Sequence, residues 1–149
     1  MVQQVFYAFM AALFFSFLFN VPRRSVLVTA SIAGIGYLVF MLSNTIIEAD
    51  LTGYFLGTFV MAALSEIAAR VMKMATTTFI TIAVIPLVPG LGLYKTMQFV
   101  VQNDYTAAVQ TGTHAMLAAG AIAMAIAVNT LIMKFILHLV NKKKPDDIS

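Results

Sequence analysis

The sequence predicts an all-α, polytopic membrane protein of about five transmembrane helices, the fourth broken at Pro86–Gly92. Three observations predict it: a composition too apolar for water, uncharged runs long enough to cross a bilayer, and basic residues collected at the ends of those runs. Of the 149 residues, 61% are hydrophobic and 10% charged, against roughly 45–50% and 25% in an ordinary soluble domain. A chain this short has a large surface for its volume, so most of the excess apolar side chains would face solvent. Lipid removes that conflict.

About 20 residues cross a hydrocarbon core of about 30 Å, and five segments qualify. The first, approximately 3–19, is rich in Phe and stops at Asn20-Val21-Pro22-Arg23-Arg24, where proline and two cations end the helix at an interface. Its start lacks a basic region and a small-residue cleavage site, so it reads as a retained helix rather than a signal. The second, 25–47, contains no charge. After Glu48-Ala49-Asp50 the third runs over 51–69, with Glu66 near its end and Arg70 and Lys73 closing it. The fourth, 74–94, holds Ile85-Pro86-Leu87-Val88-Pro89-Gly90-Leu91-Gly92, which is not continuous helix because each proline lacks a donor and clashes one turn back. A polar loop over roughly 102–113 leads to the fifth, 113–140, which is Ala-rich from Ala115 to Ala127. Residues 1–141 thus read as a single membrane domain and 142–149 as a polar cytoplasmic tail.

Cytoplasmic loops carry an excess of Lys and Arg. Five crossings place Arg23, Arg24, Arg70, Lys73 and the Lys142 to Lys144 run on one side, leaving Lys95 on the other with Glu48, Asp50 and Asp104. Lys134 snorkels toward the basic end. The expected orientation therefore has the N-terminus outside and the C-terminus cytoplasmic. The net charge of +3 is accounted for by orientation, which leaves no basic stripe for nucleic acid. With no cysteine, disulfides and thiolate chemistry are excluded. A Gly-x-Ser-x-Gly nucleophile, a His-Glu-x-x-His zinc helix and a phosphate-binding Gly-Lys loop are all missing, so no enzyme activity, metal or cofactor is expected.

The chemistry concentrates at the proline-glycine segment. Irregular backbone at membrane depth is tolerated only where protein buries it or water reaches it, and transporters use such breaks to present free helix ends to substrates. Pro86, Pro89, Gly90 and Gly92, with Tyr94 beyond them and Thr77 and Thr81 in the inner half of the same helix, are the candidate substrate path; the alternative is a plain kink. Glu66 and Arg70 stand at the favourable i, i+4 spacing and read either as a coupling carboxylate with its partner or as an interfacial anchor. His114 and His138 lie about 36 Å apart along one helix, too far to share a metal. Asn129, amid Ala and Ile, needs a partner on another helix and reads as a packing or pathway residue. Gly53-xxx-Gly57 and the Ala119, Ala123, Ala127 stripe suit close helix packing within the chain or between chains, a homo-oligomer included.

Phe19-Asn20-Val21-Pro22-Arg23-Arg24, the Ser65-Glu66 to Arg70 segment, Ile85-Pro86-Leu87-Val88-Pro89-Gly90 followed by Tyr94, and Asp104-Tyr105 together resemble the threonine/serine exporter family. The likeness is to its small C-terminal-half subunit and covers about Val5 to Val140. It implies a larger integral-membrane partner of about five more helices in the cytoplasmic membrane, and export of small hydrophilic metabolites, threonine and serine in some members and succinate-like dicarboxylates in two-component systems. The competing expectation is a non-transporting structural subunit that stabilises the larger partner.

Overall fold

A computed structural model describes residues 2–47 and 49–142. The described residues form helices and no strand: α1 (Val2–Leu18), α2 (Arg23–Ile47), α3 (Asp50–Met72), α4 (Thr76–Val84), a 3-10 turn (Ile85–Leu87), α5 (Gly90–Val101) and α6 (Tyr105–Lys142). The expected tail from Lys143 on, and Glu48, lie outside the described residues. α2, α3 and α6 are each long and apolar enough to span a membrane, and α4 with α5 makes a fourth span bent by 49°. At 17 residues, α1 is the shorter apolar helix.

Three helix ends use one device. Asn20, Lys73 and Asn103 adopt left-handed backbone, with φ of 53°, 52° and 61°. The residue after each donates its N–H back five positions: Val21 to Ser16 O, Met74 to Ala69 O and Asp104 to Phe99 O, at 2.9–3.0 Å. This is the 6→1 closure that satisfies otherwise unpaired terminal carbonyls, which matters most where lipid offers no donor. Asparagine tolerates this conformation better than most residues; lysine does not, so Lys73 is held there by its neighbours' hydrogen bonds.

The third of these turns corrects the expected loop over 102–113. Only 102–104 are non-helical, because Asp104 Oδ1 accepts from Ala107 N–H at 3.1 Å and starts α6 at Tyr105. Thr111 and Thr113 look like loop residues in sequence, yet their hydroxyls donate to the carbonyls of Ala107 and Val109 at 2.8 and 2.7 Å, which hides their polarity within the helix.

Around a few large buried side chains, Met61, Phe79, Ile82 and Leu87 among them, the helix contacts are lined by many small residues, while many of the largest side chains face outward. Ala8, Ala12 and Ser16 of α1, Ala30 and Ala33 of α2, Ala62 and Ala69 of α3, and Ala115, Ala118 and Ala125 of α6 are buried, whereas Phe6, Phe14, Phe17, Leu38 and Leu131 are exposed. Lipid makes this arrangement favourable, since helices there associate by close backbone packing rather than by hiding oil from water. Closest approach is at the α2–α3 crossing. A Cβ on Gly57 would stand 2.9 Å from the Gly36 carbonyl oxygen, and one on Gly36 would stand 3.0 Å from that of Gly57 and overlap Met61. Gly53 meets Asn44 and the Phe40 carbonyl in the same way. The Gly53-xxx-Gly57 pair therefore packs α3 on α2 within the chain, while Ala119, Ala123 and Ala127 face outward from α6.

Candidate functional site

The two prolines of the fourth span act differently. Pro86 lies inside the 3-10 turn, and Ile85 before it keeps helical angles (φ −49°, ψ −46°). Pro89 breaks the helix through its predecessor: Val88 swings to ψ 131°, the extended conformation that the proline ring imposes on the residue before it. Gly90 N–H donates to Val88 O at 2.7 Å and Leu93 N–H to Pro89 O at 3.1 Å, so α5 restarts at once. The break is thus confined to Val88 and Pro89, and Gly90 and Gly92 belong to the first turn of α5. No heavy atom stands within 4 Å of where a Cβ on Gly90 would be.

That open space is part of a cleft of about 630 Å³ formed where α5 leans away from the bundle. Its floor is the break, from Pro86 to Gly92. One wall is aromatic: Tyr37 and Phe40 of α2 with Tyr54 of α3, ring centroids 5.6 Å apart for Tyr37–Phe40 and 4.7 Å for Phe40–Tyr54. The rim is charged and polar, with Asp50 from the first turn of α3, Lys95 from α5, and Gln110, Thr111 and His114 from α6. Asp50 Oδ2 and His114 Nε2 stand 3.7 Å apart, tying α3 to α6 across the mouth. One carboxylate, one ammonium and an imidazole therefore surround a space with aromatic and exposed-backbone walls. Such a rim offers groups of both charge signs to a small polar solute.

Residues 4–132 match the model of a family described as Threonine/Serine exporter, ThrE. The chain belongs to the threonine/serine exporter family. No curated protein and no solved structure matches it. Membership gives the protein a transporter-type role.

The expected site residues fall into five groups. Pro86, Pro89, Gly90 and Gly92 come together in the cleft. Tyr94 is exposed on α5 and is not part of the cleft lining. Thr77 and Thr81 lie at the other end of the span, in a separate groove of about 250 Å³ shared with Phe19, Val21, Thr78 and Ile82. Glu66 and Arg70 pair with each other at 3.6 Å along α3, away from both openings. Asn129 is buried. Ser65 Oγ is buried without a hydrogen-bond partner.

Asp50, Lys95, His114 and the aromatic wall are absent from the sequence-based site. Asp50 and His114 are 64 residues apart, and no local pattern joins them. A signal was available in composition, since Lys95 is the only cation assigned to the acidic side of the chain and stands three residues from Gly92.

Proposed function

We propose that this chain is one half of a secondary transporter that exports small hydrophilic metabolites across the cytoplasmic membrane, with its N-terminus outside and five crossings, α1 included. The single observation that carries the proposal is the cleft over the Pro86–Gly92 break. It places free backbone and a charged rim at the end of a broken span in a member of an exporter family. The solute is an amino acid of the threonine or serine kind ahead of a dicarboxylate. A zwitterion finds a counter-charge for its ammonium in Asp50 and for its carboxylate in Lys95, whereas a dicarboxylate brings a second negative charge toward Asp50.

The path is completed by a larger integral-membrane partner. Thr77 and Thr81 expose hydroxyls on the outward face of α4, and hydroxyls at membrane depth are poorly served by lipid. The groove they line and the cleft both open at the protein surface, so each has a wall to gain from another chain. In this reading α4 and α5 turn about Val88 and Pro89 as the solute passes. Glu66 is the coupling carboxylate, and undiminished proton dependence in Glu66→Gln would reduce it to an anchor for α3.

A structural-subunit reading draws on the same open geometry, because a chain that encloses no path by itself is also suited to bracing one elsewhere. Export of labelled threonine, serine and succinate separates the two. The cells express this chain alone, the larger partner alone, or both. Threonine or serine flux that requires both chains is the expected result; full flux from the partner alone would assign this chain to support.

A further inference from the structure

Five hydroxyl side chains are wholly buried among the described residues: Ser16, Ser25, Thr29, Thr58 and Ser65, each 0% exposed. The first three satisfy themselves against their own chain. Ser16 and Thr29 donate to the carbonyls of Ala12 and Ser25 at 2.7 and 2.8 Å, and Ser25 donates to that of Pro22 at 2.9 Å. Thr58 and Ser65, both on α3, do not: Thr58 Oγ1 and Ser65 Oγ have no hydrogen-bond partner, although each has a helix carbonyl four residues back. The third buried atom without a partner, Asn44 Oδ1, is wedged against Gly53, where the close α2–α3 crossing accounts for it.

The two hydroxyls share a helix face with the cleft. Thr58 follows Tyr54 by four residues and Ser65 follows Thr58 by seven, which keeps all three within about 40° of one another around α3. Tyr54 belongs to the aromatic wall of the cleft. The stripe therefore starts at the cleft and descends about 16 Å along α3, roughly half of a hydrocarbon core of about 30 Å, to end one residue before Glu66. α4 packs against α3 with its Phe79 and Ile82 buried, and solvent reaches neither hydroxyl.

A buried hydroxyl left unpaired is costly, and lipid offers it no partner. Two of them on one face below an open cleft call for a polar occupant in another arrangement of the helices. We propose that Thr58 and Ser65 line the inner stretch of the solute path, covered in this structure and uncovered when α4 swings about Val88 and Pro89. The proposal rests on the reading of the cleft as the place that receives the solute. A hydroxyl accepts from an ammonium and donates to a carboxylate, so both ends of an amino acid are served as it moves from the Arg70 end of α3 to the cleft. Being neutral, the two residues hold it less tightly than Asp50 or Lys95, which suits a stretch that the solute must leave.

Thr58→Val and Ser65→Ala remove the hydroxyls with little change of shape and are tested in the full chain with its larger partner. Each takes away an unpaired polar group, so the thermal midpoint in detergent should hold or rise. Threonine export should nonetheless fall by roughly threefold to tenfold, the loss of one neutral hydrogen bond to the moving solute. Undiminished export in either variant, or a lowered midpoint, would overturn the proposal. Asp50→Asn in the same assay separates the two readings: export lost there but kept in Thr58→Val and Ser65→Ala removes only the inner stretch, whereas export kept in all three removes the cleft as well. The chain has no cysteine, so Thr58→Cys and Ser65→Cys give a second readout, probed in cells with a small cationic methanethiosulfonate. Both should be labelled, more strongly when the cells are loaded with threonine, while the equally buried Thr29→Cys stays unlabelled; no labelling at 58 and 65, or equal labelling at all three positions, would also overturn it.

Discussion

The α2–α3 hairpin and the α4–α5 span are both marked in sequence by glycines, and the structure uses them in opposite ways. At the α2–α3 crossing, Gly36, Gly53 and Gly57 leave no room for a methyl group, because Met61, Asn44 and the partner backbone are already there. At the start of α5, Gly90 faces open space and Gly92 only touches Ala115. The first set of glycines brings helices together and the second lies where a helix has come away. The tightly packed part of this bundle is therefore distinguished from its open part by what faces each glycine, which glycine content alone does not reveal.

The largest expected effect comes from filling the closed set. Gly57→Leu forces α3 off α2, and overpacking of a tight core costs about 1–3 kcal/mol or more. The measurement is the midpoint of thermal unfolding in detergent, which should fall sharply, with loss of folded protein; a normal midpoint would mean that the crossing is looser than the geometry indicates. Next in size, Pro89→Ala releases Val88 to rejoin the helix. Export should fall roughly tenfold or more, in line with the sensitivity of bound geometry to displacements of about 1 Å, while expression holds. Smallest, Gly90→Ala should leave stability within about 0.5 kcal/mol of the parent, as for surface substitutions generally. A large loss there would show that the cleft is filled in the working protein by something the chain itself supplies.

Much of the fold was legible because the bilayer leaves few options. The uncharged run of 25–47, the stop at Pro22-Arg23-Arg24 and the proline break each follow from a single local constraint, a missing charge or a missing N–H. The loop over 102–113 was misjudged because threonine polarity was read as exposure, when Thr111 and Thr113 satisfy themselves against their own helix. The glycine pair of α3 was legible as a packing device, but its partner Gly36 was not, since contact depends on register between helices. The site was half legible for the same reason. Pro86 to Gly92 announce themselves in series, whereas Asp50, Lys95 and His114 meet only after three turns have set the heights of α3, α5 and α6.

The most direct test of the central claim, that the cleft over the break receives the exported solute, is threonine export by Asp50→Asn and Lys95→Gln with the larger partner present and membrane levels matched. Both residues are exposed on the rim, so neither change should disturb folding. Loss of one charge-assisted contact, about 1.5–3 kcal/mol, predicts a fall in export of roughly tenfold to a hundredfold for each variant, with saturation displaced to higher internal threonine. Export and saturation unchanged in both variants would contradict the account and remove the cleft from the path.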